Sequence, residues 1–133
     1  MNKEYYMKTD KLAVWRPKGV LDTQKILEFV TFLNEQSRQQ DPHFSRFIDL
    51  SNISGVSVRY EDLYPIAEQR KIYYNSNVKQ KVKMAFLVNN PFTYGMARMY
   101  MVLTSNPLLK VNIMRKVEDV ANFLEVDISL LNA

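Results

Sequence analysis

The stretch Val82-Lys83-Met84-Ala85-Phe86-Leu87-Val88-Asn89-Asn90-Pro91-Phe92-Thr93-Tyr94-Gly95-Met96-Ala97-Arg98-Met99-Tyr100 decides the fold. Its apolar run stops at Asn-Asn-Pro and restarts as Gly-Met-Ala-Arg-Met-Tyr. The first part reads as a buried strand, a short apolar run bounded by turn residues. The second reads as a helix. Asn90 can cap it, and Pro91 stands at its first position, where the missing N–H costs nothing. Ser105-Asn106-Pro107 closes it after about Thr104. This helix is apolar nearly all round yet carries Arg98. A buried strand feeding such a helix points to an α/β domain.

Upstream, Tyr5–Lys8 and Leu12–Arg16 are β-prone runs separated by Thr9-Asp10-Lys11, which predicts an opening hairpin. Pro17-Lys18-Gly19 breaks the pattern or marks a bulge, and Val20-Leu21 continues it briefly. Asp22 or Thr23 can cap a helix over Thr23–Arg38, where Ile26, Phe29, Val30 and Leu33 share one face. Phe44–Leu50 is a strand ending in Asp49-Leu50-Ser51, and Asn52–Val56 reads as a loop. Ser57 is placed as the N-cap of a second helix, whose stripe Leu63, Ile66, Ala67, Arg70 runs to about Tyr74. Asn75-Ser76-Asn77 reads as a turn, and Lys81–Val88 as the central strand. Downstream, Leu109–Met114 alternates like a strand. Val117, Val120, Ala121 and Leu124 mark a last helix, and Asp127 can cap a final short turn.

The resulting order, β-β-α-β-α-β-α-β-α, predicts a mixed, mostly parallel sheet of about five strands with covering helices. At 133 residues the chain reads as one domain, 1–133. It has 47% apolar residues and no cysteine, so neither disorder nor a disulfide framework is expected. The first ten residues lack the apolar run of a leader, and no segment has the length of a membrane span. A cytoplasmic location is the expectation. The net charge of +4 is mild, and its pairs Arg70-Lys71 and Arg115-Lys116 are isolated. Lys79, Lys81 and Lys83 alternate as solvated lysines guarding a strand edge would. This charge pattern argues against nucleic acid as a partner.

Chemistry-bearing constellations are few. One histidine, His43, and no cysteine leave too few ligands for a transition-metal site and no Ser-His or Cys-His pair. Asp22 and Asp49 could meet at one sheet edge, but capping and loop hydrogen bonds account for both. Three glycines form no phosphate cradle, so no cofactor is expected. Two groups remain as candidate contacts for a partner or ligand. Ser51, Ser54, Ser57, Asn89 and Asn90 fall at the carboxyl ends of strands, where open α/β sheets bind ligands. Tyr94, Met96, Arg98 and Met99 lie on the Pro91–Thr104 helix. There Ala97, Tyr100, Met101 and Thr104 make one face, and Met96, Met99 and Leu103 another. A helix with two apolar faces can pack one on its sheet and offer the other to a second copy.

With this order in place, the chain resembles the SpoIIAA-like family, the STAS and anti-sigma-factor-antagonist type of α/β domain. The likeness rests on Gly19-Val20-Leu21-Asp22 entering the first helix, on Asp49-Leu50-Ser51, and on Tyr94–Tyr100. It also rests on the ending from Arg115 through Val117-Glu118-Asp119-Val120-Ala121-Asn122-Phe123-Leu124. The Gly-Met-Ala-Arg-Met-Tyr stretch looks like an uncharacterised, STAS/SEC14-like branch. The resemblance implies a non-enzymatic regulatory module that meets a protein partner. The SEC14-like side implies, as the alternative, a small apolar molecule or lipid held beside the 91–104 helix. In the antagonists a serine at the start of the helix after Asp-Leu-Ser is phosphorylated. Here Val58 stands at that place and Ser57 is one position early, so the phosphorylation switch is not expected.

Overall fold

The computed structural model describes residues 4–132. Met1–Lys3, the start of the segment read as lacking a leader, and Ala133 lie outside the described residues. Strands β1 (Tyr5–Thr9) and β2 (Leu12–Trp15) form the expected antiparallel hairpin. Strand β3 (Gly19–Asp22) leads into helix α1 (Thr23–Gln39), capped by the Asp22 carboxylate, which accepts from the Lys25 amide at 2.9 Å. Next come β4 (Ser45–Asp49), β5 (Ile53–Ser57), α2 (Tyr60–Asn77), β6 (Val82–Leu87) and α3 (Pro91–Leu103). Strand β7 (Leu109–Met114), helix α4 (Val117–Leu124) and a 3-10 turn over Ile128–Leu131 complete the order. The Asn90 side chain caps α3 by accepting from the Thr93 amide at 3.0 Å, and Asp127 caps the 3-10 turn.

The main sheet has the order β1-β2-β4-β6-β7, with every pair but the first parallel. Side chains alternate across it, so each strand serves two cores. On one face Ala13, Trp15, Ile48, Met84 and Phe86 pack with residues of α1, α2 and α3. Here Trp15 stacks on Phe29 at 4.6 Å. On the other face Leu12, Val14, Phe47 and Ala85 pack with α4 and the 3-10 turn.

Four local expectations are corrected. Asn52–Val56 is not a loop, because Ile53–Ser57 pairs in parallel with β3. The neighbours β2 and β4 both break at their carboxyl ends and resume side by side as a second, two-stranded sheet. Gly19, with φ of +70°, lets β3 restart in that direction. Ser57 ends β5 and is not an N-cap. The capping position of α2 is Arg59, which makes no side-chain cap. Asn75–Asn77 continue α2 rather than turning away. Finally, β6 is neither an edge nor the centre. It lies between β4 and β7, and β4 is central. Lys83 is therefore no edge guard, and its Nζ donates to the Phe123 carbonyl at 2.8 Å.

Candidate functional site

The predicted mouth forms where β3 and β5 carry the chain past the ends of β2 and β4. A cleft of ≈ 300 Å³ opens there, lined by Ile53, Ser54, Gly55, Val56, Asn90, Phe92 and Thr93. Ser54 and Asn90 thus share one cleft. Ser51 is tied beneath it, with amide and hydroxyl donating to Asp49 Oδ1 at 3.0 and 2.5 Å. Asn89 Nδ2 donates to the Ser51 carbonyl at 3.0 Å, which joins the β4 and β6 ends. Ser57 is exposed at the end of β5 and is not among the cleft residues. Asp22 and Asp49 each have a structural partner. Asp22 caps α1, and Asp49 is held by Arg16 Nη1 at 2.7 Å.

Helix α3 buries one face: Thr93, Met96, Ala97, Tyr100 and, just beyond its end, Thr104. Met96 therefore belongs to the core and not to an outer face. Met99 and Tyr94 are half-buried. The Arg115 guanidinium lies 5.8 Å from the Tyr94 ring centroid. Arg98 reaches solvent, and no ion pair holds it among the described residues. What faces outward is Phe92, 82% exposed, with Gly95 and Val102, 60% exposed. A Cβ added at Gly95 would meet nothing within 4 Å. Phe92, Gly95, Met99 and Val102 recur at i, i+3, i+7 and i+10, which is one stripe of a helix.

Sequence reasoning passed over a polar cluster at the opposite end. Arg46 and Arg70 are 0% and 1% exposed. Arg46, on central β4, points to the α1–α2 side with Ile48. Its Nη1 and Nη2 donate to the Pro42 carbonyl at 3.4 and 3.3 Å, and Nη1 also to that of Phe44. Arg70 donates from Nη1 to Asn34 Oδ1 at 2.7 Å. Arg46 Nε, Arg70 Nε and Nη2, and the hydroxyls of Tyr73 and Tyr74 are buried without a hydrogen bond of good geometry. Both guanidiniums flank Tyr74, at 5.6 and 5.1 Å from its ring centroid. Burial raises the Tyr74 pKa, but Arg46 and then Arg70 pull harder, so it falls below the ordinary tyrosine value. Burial, reinforced by Tyr74, pushes Tyr100 up to about 12. Burial lowers the Arg46 pKa. Burial acts downward on Arg70 too, but Tyr74 and Tyr100 leave it raised. The signal was present in the sequence. Arg70 sits in register with Leu63, Ile66 and Ala67, and Arg46 two residues before Ile48, both at core positions.

These features define a class: an α/β domain with a SpoIIAA-like fold. Among solved structures the chain is similar to an uncharacterised protein of the DUF3478 family with a SpoIIAA-like fold, from Shewanella loihica PV-4. The TM-score is 0.54 at 12% identity, over 85% of this chain and 83% of that one. No family model matches the chain, and no curated protein matches it in sequence. The likeness concerns the fold.

Proposed function

We propose that this chain is a non-enzymatic regulatory or binding module that acts through protein–protein contacts, the first of them with a second copy of itself. The observation that carries this reading is the outer stripe of α3. Monomers seldom leave a phenylalanine as bare as Phe92 beside further apolar surface. A two-fold contact covers such a stripe on both copies at once. Gly95 at its middle lets two helix backbones approach closely. Arg98, on the flank, keeps its charge in water at the rim. Phe92 also lines the cleft with Ser54 and Asn90, so a partner seated on α3 reaches those polar groups. Serine phosphorylation has no part in this reading. Val58, at the acceptor place, is half-buried against the core. Incubation with an anti-sigma-type serine kinase should leave Ser57 unmodified by mass spectrometry, and stoichiometric phosphate there would contradict the proposal. Sedimentation of the wild type should give a dimer.

The alternative, a small apolar molecule or lipid, draws on a gap between α1 and α3 lined by Trp15, Phe29, Met84, Met96 and Tyr100 among others. Its volume is ≈ 30 Å³, room for about one water, so an occupant would have to part the two helices. A monomeric wild type whose melting temperature rises with fatty acid would favour this second reading.

A further inference from the structure

We infer that the outer edge of β7 takes up an extended, acidic segment of a partner protein as one more strand of the main sheet. This surface is separate from the outer stripe of α3 and does not depend on a second copy. β7 is the last strand of its sheet and pairs with β6 without a break from Val82↔Leu109 to Leu87↔Met114. The Val82 amide donates to the Leu108 carbonyl and the Val88 amide to that of Met114, both at 2.9 Å. Along a parallel strand, alternate residues turn N–H and C=O together to the same neighbour. Lys110, Asn112 and Met114 therefore bond to β6, and Leu109, Val111 and Ile113 turn outward. Asn106 takes the Leu109 groups. Asn112 Oδ1 accepts from the Ile113 amide at 2.9 Å. The Val111 amide and the carbonyls of Val111 and Ile113 stay open among the described residues. Val111 thus offers both of the groups that one residue of an incoming strand exchanges. At the opposite edge of the sheet β1 shifts register between Met7 and Thr9, an irregularity of the kind that discourages pairing.

Charge selects the occupant. Residues 91–116, which carry α3 and β7, hold Arg98, Lys110, Arg115 and Lys116 and no carboxylate. All four are exposed, and none has an ion pair among the described residues. Glu118 and Asp119 open α4, which packs on the other face of the sheet. Two β7 edges set antiparallel would bring like charges together, so a second copy is disfavoured here. An acidic strand meets complementary charge instead. Parity fixes its pattern. Apolar residues lie beside half-buried Val111 and Ile113 on the α3 face, and acidic ones beside Lys110 on the other. Arg115, 5.8 Å from the Tyr94 ring centroid, stands just past the end of the strand.

The probe is a labelled peptide of alternating glutamate and valine, about seven residues long to match a strand. Its controls are the same peptide with N-methylated valines, which cannot pair with an edge, and a counterpart with lysine for glutamate. Fluorescence anisotropy reads binding, and amide hydrogen exchange locates it. The acidic peptide should bind saturably below millimolar concentration and slow exchange of the Val111 amide. Both controls should bind at least about tenfold more weakly. Val111→Pro removes an outward amide and leaves the ladder to β6 whole, so it should weaken binding by about tenfold. Lys110→Glu combined with Arg115→Glu changes exposed side chains, so it keeps the fold by circular dichroism and should turn the preference to the lysine peptide. None of these changes touches Phe92, Gly95 or Val102, so dimer formation is read independently of this edge. No saturable binding of the acidic peptide would overturn the inference. So would equal binding of its N-methylated form, which would mean charge attraction without strand pairing.

Discussion

The two faces of the sheet take in cationic side chains, Arg16 half-buried on one and Arg46 and Arg70 buried on the other, and treat them oppositely. On the α4 face Arg16 gives Nη1 to Asp49 at 2.7 Å, Nε to the Tyr6 hydroxyl at 3.3 Å, and Nη2 to the Leu131 carbonyl. Its positive edge is used up. On the α1–α2 face Arg46 and Arg70 meet carbonyls, an amide oxygen and phenols, with no carboxylate among the described residues. The difference comes from parity on β4. Phe47 and Asp49 point one way, Arg46 and Ile48 the other, so Asp49 serves only the first face. A closed pair holds structure in place.

Breaking the closed side should cost most. Asp49→Ala strands Arg16 and frees the Ser51 turn, so urea denaturation should show a loss of about 3–5 kcal/mol. The contrast between arginines comes next. Arg16→Met should destabilise by about 3 kcal/mol because Asp49 stays buried alone, whereas Arg70→Met should change stability by less than about 1 kcal/mol or raise it. Equal losses in both would erase the distinction between the faces.

Tyr74→Phe sharpens the open side further. The depressed Tyr74 pKa means that the native state releases this proton before the unfolded chain does. Stability should therefore rise with pH as it approaches the ordinary tyrosine value of 10.0 from below. Tyr100 acts with the opposite sign. Its pKa is raised to about 12, so its contribution is complete below 10.0 and is lost as pH climbs towards 12. Spectrophotometric titration should show one tyrosine ionising early, and Tyr74→Phe should remove that phase. The smallest effect belongs to Ser57→Ala. Ser57 caps nothing and is exposed, so stability should move by no more than about 0.5 kcal/mol.

Most of the fold was legible because its signals are local. The Asn90-Pro91 cap, the Asp22 cap and the periodicity of α1, α3 and α4 need only nearby residues. What failed depended on distant partners. Ile53–Ser57 lacks a strand's apolar density and is a strand because β3 lies beside it. Met96 looked outward by spacing alone, but it is buried in one core cluster with Phe86 and Trp15. At the mouth, Ser54 and Asn90 were legible as neighbours of strand ends, while Phe92 was not, since exposure is a property of the packed molecule. Arg46 and Arg70 stood at core positions of their own periodic patterns. Arg70 was placed in the stripe of α2, yet neither arginine was read as a buried charge with polar partners.

The central claim is that α3 meets a second copy of itself across Gly95. The chain has no cysteine, so a single introduced thiol reports on one place. Gly95→Cys should close a symmetric disulfide rapidly under mild oxidation, because a two-fold crossing there brings the two Cα atoms within about 7 Å. Ile72→Cys, also exposed but on α2, should not. Adding Phe92→Asp to Gly95→Cys should abolish the cross-link and give a folded monomer by sedimentation and circular dichroism. A Gly95→Cys chain that cross-links no faster than Ile72→Cys, together with a wild type that stays monomeric at high micromolar concentration, would contradict the account.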